Sequence, residues 1–156
     1  MTTLFPIEEI PAKPTRRKPL VDIPGKDWEK QIWHDLGVMF GWRSAHFRAV
    51  ETKHRGFTVP VGAHGDGWPD FTLVRDRCIY AEAKAGTGRV AEKQAAWLQL
   101  LVDAGQEVYV FRPEYLEEIA AVLRHRDRPA DDFPARAVLI ELLHLELAPH
   151  AKKRAA

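Results

Sequence analysis

Three residues in one stretch of this chain have side chains suited to chemistry: Asp70, preceded by Gly67-Trp68-Pro69, and the pair Glu82 and Lys84. Residues i and i+2 of a strand share a face, so Glu82 and Lys84 point one way while Ile79, Ala81 and Ala83 point the other. A hairpin would lay Asp70 beside them. Two carboxylates held together resist joint ionisation, so such a pair either shares a proton or takes up a divalent cation through its oxygens. An ammonium alongside can hold and polarise a water. Together these groups are the equipment of metal-assisted phosphodiester hydrolysis.

Positioning them requires a particular set of elements. Residues 67–84 read as a Pro-bounded turn, a strand over 71–74, the connection Arg75-Asp76-Arg77 and a second strand from Cys78. Upstream, Trp28, Ile32, Leu36, Met39 and Phe40 recur at helical spacing behind Asp27, an N-cap residue type. Glu29 lies at the edge of that apolar stripe. Its carboxylate is either a first-turn acid favoured by the helix dipole or a group awaiting a partner such as a metal. Gly41 ends the helix, and residues 42–50 alternate as a strand. The Gly-, His- and Arg-containing residues 51–68 form a long loop at the edge of a substrate groove, with His54, Arg55 and His64 as candidates for phosphate contact.

Residues 85–89, Ala-Gly-Thr-Gly-Arg, follow a strand and open a helix, where a phosphate-cradling loop would sit. They fail that test, having neither the Lys-Ser/Thr of a Walker loop nor a third glycine, and read instead as a mobile loop from which Arg89 can reach DNA. The helix over 90–103 turns Trp97, Leu98 and Leu101 inward and aims Gln94 at an apolar face, where its amide needs either backbone or active-site partners. Lys93 is its charged neighbour. Ala104-Gly105 closes that helix, and residues 107–111 enter the sheet. Helices are expected over 115–126 and 137–147, joined by a linker; Leu139, Leu142, Leu143 and Leu147 either cover the sheet or make a dimer contact.

The pattern Gly67, Pro69-Asp70, Glu82-Ala83-Lys84, Gln94 and Ala104-Gly105 before a strand resembles the VRR-NUC branch of the PD-(D/E)XK nucleases, over residues 27–113. The resemblance implies an α/β, restriction-endonuclease-like core, a mixed central β-sheet flanked by α-helices. It also implies that Asp70 and Glu82 bind Mg²⁺, with Mn²⁺ as a substitute, that Lys84 positions the attacking water, that Gln94 supports the site, and that Glu29 is a further ligand or water contact. The chain then divides into an N-terminal arm (1–25), a nuclease core (26–126) and a C-terminal apolar element with a basic tail (127–156).

Composition narrows the classes. At 156 residues, 46% hydrophobic and 29% charged, the chain fits one folded domain. A lone cysteine, Cys78, excludes an internal disulfide, no HExxH or HxH spacing marks a zinc site, and no apolar run is long enough for a membrane span. The expected compartment is the cytoplasm of a bacterium or of a phage-infected host. Net charge is only +1, but four cations, Arg43, Arg48, Lys53 and Arg55, face one acid over residues 41–55. Residues 113–148 instead hold eight acids against four arginines, so a phosphate backbone should meet the first half of the chain. Candidate DNA contacts are Arg43, Arg48, Lys53, Arg55, Arg89 and Lys93. Five prolines exclude a long helix or central strand before residue 26, leaving an extended, partly mobile arm whose PTRRKP segment either tracks phosphates or serves as a solubilising leader.

These readings converge on a Mg²⁺-dependent DNA endonuclease, with branched DNA such as a Holliday junction as the first substrate and a homodimer to cut symmetric strands. A catalytically silent DNA-binding protein with the same fold is the alternative, and a partner-binding domain using the leucine-rich end is a third.

Overall fold

The computed structural model describes residues 15–19, 23–47, 50–54, 56–58 and 62–151. The first helix, α1 (Gly25–Lys30), starts at Pro24, whose carbonyl accepts the backbone N–H groups of Asp27 and Trp28, both at 3.0 Å. Asp27 is thus a first-turn residue and not the expected cap. From Gln31 to Gly37 the same helix continues as a π-helix. Widening the ladder rotates the residues that follow: Trp28, Ile32 and Leu36 are buried, but Met39, expected on the same stripe, is 70% exposed.

Strand β1 (Arg43–His46) is shorter than expected. A separate antiparallel hairpin, β2 (Val50–Thr52) with β3 (Gly56–Thr58), follows, and all of it but Val50 falls inside the stretch that reads as loop. Strands β4 (Phe71–Val74) and β5 (Cys78–Ala83) make the predicted hairpin, in the register Phe71 to Ala81 and Val74 to Cys78. Helix α2 (Glu92–Asp103) then crosses over to β6 (Glu107–Phe111), which pairs in parallel with β5. The result is an α/β fold with a mixed four-stranded sheet in the order β1-β4-β5-β6.

Both faces of the sheet are covered, which is why β6 is buried along its whole length. On one face Phe71, Leu73, Ile79, Ala81, Tyr109 and Phe111 meet α1 and α3 (Leu116–Arg124). On the other, Val108 and Val110 meet Ala95 and Leu98 of α2. The last helix, α4 (Pro134–Ala151), is longer than predicted and packs on β6, α2 and α3. Its Leu139 and Leu142 join the first cluster and Leu143 and Leu147 the second, so these four leucines cover this chain's own sheet. Each such burial is worth roughly 1.5–3 kcal/mol.

The β4–β5 connection clamps α3. Arg75 and Arg77 lie over the Trp42 ring at 4.4 and 5.0 Å and donate to the carbonyls of Leu123 (3.0 Å) and Val122 (2.9 Å), the unpaired acceptors at the end of α3. The described part of the N-terminal arm also lies on the protein: the Arg17 backbone N–H donates to the Tyr115 hydroxyl at 3.0 Å, and its guanidinium pairs with Glu118. Among the described residues, no helix is long and apolar enough to cross a membrane.

Candidate active site

Four of the residues singled out in the sequence meet at the end of β5. Glu82 is 1% exposed on the α2 side of the sheet, its Cα paired with that of Val110. Lys84 extends the ladder by one residue, its N–H donating to Phe111 O at 3.1 Å, which brings its Nζ to 3.1 Å from Glu82 Oε1. Gln94, in the first turn of α2, donates from Nε2 to the same oxygen at 2.7 Å and accepts the Ala91 N–H at 2.9 Å. Its amide therefore has a backbone partner, Ala91, and a partner in the candidate site, Glu82, at once.

Asp70 and Glu82 are laced together reciprocally. The Asp70 N–H donates to Glu82 Oε2 at 3.2 Å, and the Ala83 N–H donates to Asp70 Oδ2 at 3.0 Å. Burial, then the Asp70 charge, pushes the Glu82 carboxyl up to about 8 against the pull of Lys84. Asp70 is raised as well, first by burial and further by the charge of Glu29, against the lowering from the Ala83 N–H. The pair accordingly keeps a proton at neutral pH unless another positive charge replaces it.

Gly67 makes this meeting geometrically feasible. Its φ is +89°, and a Cβ there would come within 2.6–2.7 Å of Lys93 backbone and Cβ atoms, so the chain before Asp70 rests directly on the first turn of α2. Trp68 and buried Pro69 then deliver Asp70 into β4, and the Asp70 carbonyl accepts the Phe47 N–H at 2.9 Å. The resulting cleft has a volume of about 860 Å³ and is lined by Phe57, Asp66, Trp68, Asp70, Lys93 and Gln94 among others.

Residues 85–88, which read as mobile in the sequence, are tied down. The fully buried Arg112 pairs with Glu146 and donates to the Gly88 carbonyl at 2.5 Å, while Arg16 donates to that of Gly86 at 3.2 Å. This loop lies against the stem of Lys84.

Glu29 stands at the flank. Its Oε2 is 3.1 Å from His46 Nε2, and the His46 ring stacks on Phe71 at 4.4 Å. Among the described residues no group of three or more His, Cys, Asp or Glu is arranged to hold a metal ion. Asp70 and Glu82 alone nonetheless suit a divalent cation: they are hard oxygen donors, one half-buried and one buried, and mutually repelling until a cation or proton intervenes.

Of the expected DNA contacts, Arg43 on β1, Lys53 between β2 and β3, and Arg89 before α2 are exposed. Lys93 is exposed and paired with Asp66. Arg48 and Arg55 lie outside the described residues. Sequence reasoning missed Phe57, Asp66 and Trp68 as cleft residues, and Arg112 as the anchor of the loop. Trp68 was visible two positions before Asp70, whereas the acid that pairs with Arg112 is at position 146 and nothing local announces it. In comparisons with known proteins, the chain matches no family model, no curated protein and no solved structure, so its functional reading rests on this geometry.

Proposed function

We propose that this chain is a divalent-metal-dependent DNA endonuclease with a restriction-endonuclease-like, VRR-NUC-type PD-(D/E)XK core, directed to branched DNA. The observation that carries the reading is the convergence of Asp70, Lys84 and Gln94 on one buried carboxylate, Glu82. A structural role alone gives no reason to bury two acids against each other, because an apolar pair would be at least as stable.

In this reading Asp70 and Glu82 hold Mg²⁺ or Mn²⁺, which supplies Lewis-acid stabilisation of the charge developing on the phosphate. Lys84 orients the attacking water, and its ammonium offsets negative charge beside Glu82. Gln94 fixes the Glu82 carboxylate so that its free electron pairs keep one direction. The water oxygen bonds to phosphorus as the opposite phosphorus–oxygen bond breaks, one water proton reaching the leaving oxygen through solvent. The products are a phosphomonoester end and a hydroxyl end.

The test is a panel of labelled junction, flap, duplex and single-stranded DNA with Mg²⁺, Mn²⁺ or EDTA. Metal-dependent cleavage that is lost in Glu82→Gln, with the variant still folded by circular dichroism, is the expected result. Metal-indifferent retention of DNA without cutting would establish the silent binding protein instead.

A further inference from the structure

The cleft beside Asp70 is walled by aromatic rings as well as by acids. Phe57, on β3, is 74% exposed and lines the same cleft as Asp70 and Gln94. On the α2 side, half-buried Trp68 meets Trp97 edge-on at 4.9 Å and Tyr80 at 5.7 Å. Trp97 Nε1 in turn donates to the His64 carbonyl at 3.0 Å, fixing the loop that carries Trp68. Trp68 also borders a second depression of about 430 Å³, shared with Phe47, His64 and Trp97, and so forms the partition between the two spaces.

Single exposed rings are ordinary, but here an exposed phenyl and a fixed indole flank the candidate catalytic carboxylate. Continuous duplex offers a cleft its backbone and the edges of its bases. The face of a base becomes available only where pairing and stacking are broken, and every base has such a face. Lys93 borders the same cleft, and its surface pair with Asp66 is one that water and salt screen, so a neighbouring phosphate can displace the acid readily.

We propose that Phe57 and Trp68 form a stacking site for an unpaired nucleobase beside the scissile phosphate, which makes the chain select DNA with unstacked bases over continuous duplex. This inference rests on the nuclease reading and narrows its substrate: junction centres, flaps and single-stranded tails carry such a base, whereas an uninterrupted helix does not. The β2–β3 hairpin presents Phe57 as one wall of the site, and Trp68, backed by Trp97, is the other.

The experiment measures the ratio of flap to duplex cutting for the parent, Phe57→Ala and Trp68→Leu, on substrates in which one nucleotide at a time near the cut is made abasic. Phe57 is exposed, so its variant keeps the fold even where that of Trp68 loosens it. The expected result is a roughly tenfold fall in the ratio for Phe57→Ala, the size of one lost base–aromatic stack. One abasic position should reproduce that fall in the parent and add nothing to it in the variant. A ratio that neither variant moves, or no sensitive abasic position, overturns the stacking site and leaves the nuclease reading intact. Failure of the parent to cut or retain any DNA overturns both.

Discussion

Gln94 spans the gap between α2 and β5 by donating to Glu82 at 2.7 Å while accepting the Ala91 N–H at 2.9 Å, so one amide locks a helix start to a buried carboxylate. Replacing it separates two effects. Gln94→Ala removes one of the donors to Glu82, leaving Lys84 and the Asp70 N–H, and takes the acceptor from the Ala91 N–H; it should lower stability by about 1–2 kcal/mol in a denaturant titration. Cleavage should fall by roughly 10–100-fold, as loss of a positioning partner does. Gln94→Glu keeps the bond to Ala91 but sets a third acid beside the pair, so its melting temperature should rise on adding Mg²⁺ by more than that of the parent.

The raised Glu82 carboxyl makes stability depend on pH in a defined direction. An acid whose folded pKa, about 8, lies above its ordinary 4.5 binds its proton more tightly when folded. Its contribution is complete below the lower value and is lost as pH rises through the upper one. In EDTA the free energy of unfolding should therefore fall from pH 5 to pH 9 by an amount on the order of a few kcal/mol, and the melting temperature with it. Glu82→Gln should flatten that fall. Mg²⁺ should restore the parent most at the alkaline end, where the cation no longer competes with the proton.

At Gly67 the backbone sits at φ +89° with Lys93 backbone directly beneath it. Gly67→Ala should destabilise the fold by about 2 kcal/mol or more, because strain and contact add. Should some of the strain be relieved by lifting the turn from α2, Asp70 would move with it. The variant is expected to lose cleavage even at temperatures where circular dichroism shows it folded.

Arg112 offers a test of how the loop beside Lys84 is held. It is fully buried, and removing it leaves Glu146 without its main counter-charge and the Gly88 carbonyl without a donor. Arg112→Met should cost about 3–5 kcal/mol in chemical denaturation. Pairing it with Glu146→Leu should recover much of that loss without recovering cleavage, if the Gly88 contact is what keeps the loop in place.

The chemistry-bearing hairpin was legible because its signals are local. Strand alternation, a Pro-Asp start and a Glu-x-Lys end fix the register that puts Asp70 beside Glu82. The helix carrying Gln94 and the strand after Gly105 were legible for the same reason. What escaped depends on contacts far apart in the chain. The β2–β3 hairpin buries none of its described side chains, so no apolar pattern marks it, and its Phe57 reads in isolation as one more aromatic in a loop. Arg75 and Arg77 look like a solvated turn until the end of α3 arrives to receive them. The helix 115–126 and the leucine-rich 137–147 were placed correctly within a few residues, but only packing could assign those leucines to both faces of one sheet.

The wide turn from Gln31 to Gly37 amounts to one residue more than a regular helix would use over the same span. Deleting one residue within it would return the ladder to its usual pitch and leave the two ends facing nearly as they do now, whereas deleting one from the regular turn that follows would swing everything upstream through about 100°. Trp28 would leave its pocket, and Glu29 would turn away from His46. The wide turn is therefore a reserve of length: exchanges at its exposed positions, such as His34 or Asp35, and the loss of one residue within it should leave Trp28 and Glu29 in place, whereas a residue lost beside it should remove the flank of the candidate site.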